Sequence, residues 1–538
     1  MTATTMPDPA AFTDEERRLL EPFFTNVDRE VFALRNLPEV VKAALFARYS
    51  RSPKSLRRLF LDEFLDGLPA PAAAAAVGVQ RSEKLFQRVL SEYGDDSVAQ
   101  LGGAHVAVEG ASNVLTKVLE WGRLMAYLEQ STRYVPYTQR DGGRWRYVVP
   151  PELDASPALR ARYAECLDAA FETYAHWIDP AVSWLKRETH AAAGASSAVY
   201  DATIRGKALD ALRGLLPAAT RSNVGIFGTG QAYEQLLVRM RAHPLAEVQA
   251  CADELLRELR HVIPAFLSRV DRPDRGVRTS AYLVATRDAV GALAARLLAQ
   301  AAPPPRPEVV LADHDPEGEV KVVAAALYPV SDLPFDELLS RARAMPVPER
   351  AAVLKTYVGD RSANRRHRPG RAFEHATYRF DVVTDYGSFR DLQRHRMLTI
   401  DWQPFTAAHG HATPPLVEEI GAAADWQRVM RTSAALYDDL CRSGPQAVAS
   451  YALPMAYRIR FYMALNAREA MHLIELRTTP QGHPSYRRVC QAMHRLIADE
   501  AGHHAVAEAM VHVDHSTADQ GRLQAERAGE GKHAERLA

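Results

Sequence analysis

Arg394-His395-Arg396 sets two guanidiniums and an imidazole in three consecutive residues, a cationic group suited to a phosphate or an anionic ring. A bare R-H-R triplet at a helix end is equally a solvated surface, so its surroundings decide its meaning. Glu374-His375 stands one strand upstream, and Asn466-Ala467-Arg468, His472 and Arg477 follow on a helical segment downstream. Helical spacing places Arg468, His472 and Arg477 near one stripe, with Asn466 to one side at its start. Cations gathered on one face repel each other unless an anion lies between them; separate ion pairs to Glu469 and Glu475 are the alternative. A second string, Glu129-Gln130-Ser131-Thr132-Arg133-Tyr134, carries a carboxylate, a hydroxyl and a guanidinium. The carboxylate and backbone amides can read a pyrimidine edge while Ser131 and Arg133 hold a phosphate, or the string is a polar loop after a helix.

Other polar groupings carry less. His503-His504 after Asp499-Glu500 has the residue types of a metal cluster but reads as the polar face of a helix, and no metal site is expected. Arg361, Arg365, Arg366, His367 and Arg368 form a basic loop that either reaches a dinucleotide phosphate or is solvated.

Most of the chain that must position these residues has helical periodicity. Leu56, Leu59, Phe60 and Phe64 recur at that spacing, as do Leu236, Leu237 and Met240, and later Leu255 and Leu259. Strands are expected at 104–108, 145–149, 308–311, 321–323 and 377–383. Ala301-Ala-Pro-Pro-Pro-Arg-Pro307 cannot continue a helix and favours an extended connector. The expected organisation is a tail at 1–15, a first domain at 16–300, a proline-rich linker at 301–307, a second domain at 308–514 and a polar tail at 515–538. The two domains repeat one another. HVAVEG followed by VLTKVLEWGRLMAYLEQSTRY in the first matches TYRFDVVTDY followed by FRDLQRHRMLTIDWQPF in the second. RGLLPAATRSNVGIFGTGQAYEQLLVRMR likewise matches SYALPMAYRIRFYMALNAREAMHLIELR, each read as a Leu-Pro turn leading into an amphipathic helix.

The 538 residues are enough for two domains, and 47% hydrophobic with 25% charged residues is a globular composition. Equal numbers of Lys+Arg and Asp+Glu, 66 of each, argue against generic nucleic-acid binding. The four cysteines are far apart and form no C-x-x-C pair, which fits buried thiols in a reducing compartment. Without an apolar run of membrane-spanning length or a signal-peptide pattern at the N-terminus, a cytoplasmic protein without a membrane partner is expected.

The segments GDDSVAQLGGAHVAVEGASN…EWGRLMAYLEQSTRYVPY and AFEHATYRFDVV…LQRHRMLTIDW resemble the core of flavin-dependent thymidylate synthases, and the resemblance covers most of both halves. It implies an α+β fold in which each domain is a small sheet with flanking helices, mostly helical overall. It also implies FAD, a dUMP substrate, methylenetetrahydrofolate as carbon donor and NADPH as reductant. The family's homotetramer, with active sites between subunits, implies here a homodimer that forms a pseudo-tetramer. Neither half keeps the whole family signature. The first half has Trp121-Gly122-Arg123 at the R-H-R positions, keeps Glu129, Ser131, Arg133 and Tyr134, and keeps Arg213 before the Leu-Pro turn. Its Asn-x-Arg pair has become Thr229-Gly230-Gln231, and its last helix Arg is Met240. The second half keeps Arg394, His395, Arg396, Asn466, Arg468, His472, Arg477, Glu374 and His375, but has Trp402, Pro404 and Thr406 in the later signature and Ser450 before its Leu-Pro turn.

The losses are complementary. The resemblance therefore implies a composite site, with Glu129, Ser131, Arg133, Arg213 and Arg477 binding substrate. Glu374, His375, Arg394, His395, Arg396, Asn466, Arg468 and His472 would face the flavin. Arg394, His395, Arg396 and Ser131 would be the residues of the chemistry. A related flavoenzyme acting on another uracil nucleotide, and a catalytically dead binding paralogue, are the rival readings.

Overall fold

The computed structural model describes residues 12–49, 52, 54–65, 100–189, 197–299 and 305–516. Most of the two expected tails and of the proline-rich linker lies outside these residues. Thr13, inside them, caps the helix Asp14–Leu20 through a reciprocal pair of bonds with Glu16. The chain divides into two units, each assembled from discontinuous segments: 1–108, 124–128 and 223–301 form the first, and 109–123, 129–222 and 302–538 the second.

The sequence repeat is a repeat of topology. In the first half, β1 (Gly103–Ser112), α1 (Asn113–Leu119) and β2 (Met125–Glu129) are followed, after two long helices, by β3 (Arg221–Thr229) and α2 (Gly230–Arg241). In the second half an added strand, β4 (Val309–His314), precedes β5 (Thr377–Asp385), α3 (Tyr386–Gln393), β6 (Thr399–Trp402), β7 (Arg458–Asn466) and α4 (Ala467–Arg477). Strand order is β1-β3-β2 in one sheet and β4-β5-β7-β6 in the other, so the shared part has the same order. The capping chemistry repeats as well. Ser112 and Asp385 accept from the backbone N–H three residues into α1 and α3, and Thr229 and Asn466 do so for α2 and α4.

Several elements differ from the sequence expectation. Residues 321–323 are helical, within Gly318–Leu327, because Val322, Val323 and Ala324 are all buried on a helix that continues to bury Ala326. Residues 145–149 make only an isolated bridge, Tyr147 to Thr220. The segment 114–134 is helical only as far as Leu119, and Met125–Glu129 is a strand. In both halves a strand separates the Leu-Pro turn from the helix. The signal is period-two burial, with Ile459, Phe461, Met463 and Leu465 turned inward along β7 and Ser222, Val224 and Ile226 along β3. The expected helical spacings hold elsewhere: Leu56, Leu59, Phe60, Phe64, Leu236, Leu237, Met240, Leu255 and Leu259 are all buried. No helix among the described residues is long and apolar enough to cross a membrane.

The core of the second unit forms around β5 and β7, whose inner faces carry Tyr378, Phe380, Val382, Ile459, Phe461 and Met463. This sheet fixes the exit of α3, and with it the R-H-R triplet.

Candidate active site

Helix α3 is fully buried and starts on Asp385, whose carboxylate accepts from the Ser388 N–H and hydroxyl at 2.8 and 2.9 Å. Its last turn carries Asp391, and the triplet lies in the turn beyond its C-terminus. Asp391 is the focus of a cage of guanidiniums. Arg394 ion-pairs with one oxygen, Arg213 lies 3.6 Å from the other, and Arg477 lies 3.7 Å away while donating to the Asp391 carbonyl at 2.5 Å. Burial alone would raise the carboxyl's pKa, but Arg394, Arg213 and Arg477 hold it far below the usual range. Arg213 can approach because Gly387 leaves room; a Cβ there would sit 3.3 Å from two guanidinium nitrogens.

Beside Asp391, Arg133 forks onto Asp210 of the helix Ser197–Leu212, with three N···O distances of 2.8–3.0 Å, and donates to the Gln481 carbonyl at 2.7 Å. The Ser131 hydroxyl accepts from the Arg133 N–H at 3.2 Å, which ties the loop to its own arginine. His483 is buried, and burial together with Arg213 pushes its pKa down to about 4, so it adds no charge at neutral pH. Arg133, Arg213, Arg394 and Arg477 thus face Asp210 and Asp391: four positive charges less two negative leave two in excess. Arg213 Nη2 and Arg394 Nε are buried donors without a hydrogen-bond partner among the described residues. Excess cation with unsatisfied N–H groups is the chemistry of an anion site.

A second charged group borders the first and is balanced. Arg390 Nη2 donates to Glu129 at 2.6 Å, and Lys117 lies 2.5 Å from Glu120 and 3.5 Å from the other oxygen of Glu129. All four side chains are buried. Against the effect of burial, Arg390 and Lys117 bring the Glu129 pKa down to about 2. Glu129 is therefore engaged inside the protein instead of being presented to a pyrimidine.

His395 extends the cage toward α4. Its Nδ1 lies 3.1 Å from Glu469, and its Nε2 accepts from Arg477 Nε at 3.0 Å. Burial, then Arg477 and Arg394, drive its pKa well down, so the ring is neutral with its proton on Nδ1. His472 stands near, its Nδ1 2.9 Å from Arg368 Nη2. His395, Glu469 and His472 bring ligand-type atoms within 4.8 Å of one another.

An open cleft of about 450 Å³ runs along the Thr377, Thr399 and Asn466 ends of β5, β6 and β7. Arg396, Arg123, Glu374 and Asn466 line it. Arg123 and Arg396 occupy corresponding positions in the two repeats, and Arg123 is steadied by donating to the Thr399 hydroxyl at 2.9 Å. The Asn466 side-chain oxygen accepts from the Glu469 N–H at 2.9 Å, which directs its amide NH2 away from the helix. Arg468 donates to the Pro369 carbonyl at 3.0 Å and lies 3.5 Å from Glu374. His375 is exposed and stacks on Phe335.

Residues 40–265 and 309–501 match the model of the thymidylate synthase complementing protein family. The chain belongs to that family. It is 36% identical over 522 residues to the UPF0159 protein of Chlamydia muridarum, covering 96% of this chain and 98% of the relative. It is also 29% identical over 513 residues to the UPF0159 protein Ta1429 of Thermoplasma acidophilum, covering 90% and 97%. The flavin-dependent thymidylate synthase of Clostridium tetani is 27% identical over 181 residues, 33% of this chain and 67% of that protein.

In this thymidylate synthase complementing family member, the structure brings Arg133, Arg213, Arg394, His395 and Arg477 into one network, with residues from both halves of a single chain. Glu374, Arg396, Asn466 and Arg468 gather at the cleft, whereas His375 stands apart. Sequence reasoning missed Asp391, Asp210, Arg390 and Lys117. Asp391 had a local signal, an acid three residues before Arg394 on a helix; Asp210 had none, because only the fold brings it to Arg133. Of the basic loop, Arg361 forks onto buried Glu475 at 2.7–2.8 Å and is a structural pair. His503 is buried against the Tyr378 hydroxyl at 2.7 Å, not on a solvated face.

Proposed function

We propose that the protein is a flavin-dependent thymidylate synthase that converts dUMP to dTMP by reductive methylation. FAD would be its redox cofactor, methylenetetrahydrofolate the carbon donor and NADPH the reductant. The observation that carries this reading is the cage: Arg133 and Arg213 from the first half meet Arg394 and Arg477 from the second, with two positive charges in excess. A nucleotide phosphate is dianionic at neutral pH and supplies the missing charge. The unsatisfied N–H groups of Arg213 and Arg394 would donate to its oxygens.

The cleft residues fit a flavin nucleotide. Arg123, Arg379 and Arg396 outnumber Asp313 and Glu374 among the charged lining residues, which suits a pyrophosphate, and Asn466 offers amide donors. When bound, the flavin supplies the hydride chemistry; Arg396, Asn466, Arg468 and Glu374 would hold and orient it. His395, neutral and donating to Glu469, would keep Arg477 aligned on the cage. The site is composite: each half contributes the residues that the other has lost, and a homodimer would carry two such sites.

The burial of Glu129 favours a second reading, in which the enzyme accepts a different uracil-containing nucleotide, because that carboxylate is committed to Arg390 and Lys117. Expression in a thymidine-requiring strain separates the two. Growth without thymidine, lost with Arg213→Met, supports dTMP synthesis. No growth, with purified protein that is yellow and stabilised by other uridine phosphates but not by dUMP, supports the second reading. Protein that takes up no flavin overturns both.

A further inference from the structure

The sheet has a second polar cleft at its other end. β5 and β7 pair from Thr377 with Asn466 to Asp385 with Arg458. The flavin-type cleft lies at the first of these ends, and eight residues further, roughly 27 Å at about 3.4 Å per residue, a separate cleft of about 470 Å³ opens. Its charged lining is Arg306, Arg458, Arg460 and Arg488, with Glu308 and Asp385.

Both lining carboxylates already have partners. Asp385 gives both oxygens to Ser388 as the cap of α3. Glu308 accepts from the Thr384 hydroxyl at 3.0 Å and stands 3.9 Å from Arg488. Arg460 is held by Asp381 at 2.9 Å, just outside the lining. Arg458 has no carboxylate partner among the described residues and only a long contact, 3.5 Å, to the His409 carbonyl. Four arginines less Glu308, Asp385 and Asp381 leave one positive charge in excess. Arg458 and Arg460 point from the same face of β7, about 7 Å apart along the strand, while Arg488 reaches in from the helix Pro484–Asp499. A planar carboxylate engages one fork at a time, whereas a phosphoryl group presents oxygens in several directions and can serve guanidiniums from different elements at once.

We propose that this cleft is a second anion site, binding a phosphoryl ligand through Arg458, Arg460 and Arg488 at the end of the sheet opposite the first cleft. The site does not depend on the reaction proposed above. Its role is to hold a phosphorylated small molecule, either a free phosphate species or the phosphate end of a nucleotide.

The test is arginine labelling with phenylglyoxal, read peptide by peptide, on the full chain with and without inorganic pyrophosphate. Arg458 and Arg460 should label at least fivefold more slowly with pyrophosphate present, including in an Arg213→Met background that disables the cage. In calorimetry, the Arg458→Ala/Arg460→Ala protein should bind pyrophosphate with one site fewer than the parent and keep its dUMP response; Arg458→Lys should retain the site at several-fold lower affinity. Adenosine diphosphate binding tenfold tighter than pyrophosphate assigns the site to a nucleotide, and equal affinity assigns it to free phosphate chemistry. Unchanged labelling of Arg458 and Arg460 under pyrophosphate, or an unchanged number of sites in a double variant that melts like the parent, overturns the proposal.

Discussion

Two groups of buried charge lie side by side in the second unit, and they differ in balance. Lys117, Arg390, Glu120 and Glu129 are two cations and two anions, each with a partner at hydrogen-bonding distance. Arg133, Arg213, Arg394 and Arg477 form their ion pairs with two carboxylates, Asp210 and Asp391, among the described residues. Both hold buried polar atoms without a hydrogen-bond partner among the described residues, Arg390 Nε and Glu120 Oε1 in the balanced group and Arg213 Nη2 and Arg394 Nε in the unbalanced one, so the residual charge alone sets the second apart. Burial and ion pairing alone do not mark a functional site; the residual charge does.

The largest expected effect comes from breaking the balanced group. Arg390→Met leaves Glu129 buried without its hydrogen-bonded guanidinium and should cost about 3–5 kcal/mol of stability, read as a lower urea midpoint. Adding Glu129→Gln should recover much of it. The same carboxylate gives a pH signature. Its folded pKa, about 2, lies below its ordinary value, so its stabilising contribution is complete above the ordinary value and is lost as pH falls toward 2. Parent protein should therefore lose stability between roughly pH 5 and 2 more steeply than the double variant.

Thinning the unbalanced group should do the reverse. Arg213→Met removes one excess cation, so the melting temperature should hold or rise while dUMP affinity falls about a hundredfold, roughly 2.7 kcal/mol. If this variant instead unfolds as Arg390→Met does, the contrast between the groups fails. In the parent, dUMP at a hundred times its Kd should add about 2.7 kcal/mol of stability; Arg213→Met at the same concentration should show little of it.

The repeat, the fold class and the list of surviving arginines were legible in the sequence because they rest on residue type and order. Pairing was not. Arg133 reads as a phosphate ligand in a string that resembles a family signature, yet in the fold it meets Asp210, 77 residues away. Glu129 reads as a presented carboxylate, and its partner Arg390 lies 261 residues on. The strands β3 and β7 were hidden for a local reason: their alternation runs directly into the helical periods of α2 and α4, and the longer pattern dominated.

The smallest effect separates structure from recognition at the cleft itself. Asn466 uses its side-chain oxygen to cap α4, a job that serine can also do, while its amide NH2 belongs to the cleft lining. Asn466→Ala should lose both, costing about 1 kcal/mol of stability together with flavin affinity. Asn466→Ser keeps an acceptor for the Glu469 N–H but removes the amide donors, so its melting temperature should match the parent while its FAD affinity matches that of Asn466→Ala. Thr229 holds the corresponding cap on α2 with a hydroxyl, and Gln231 stands where the second half has Arg468. Thr229→Asn should therefore leave flavin stoichiometry unchanged, since a cap with an amide but no arginine two residues on supplies half of the pair. Should Asn466→Ser bind FAD as the parent does, Asn466 is a cap and nothing more, and the two helices differ in their arginine alone.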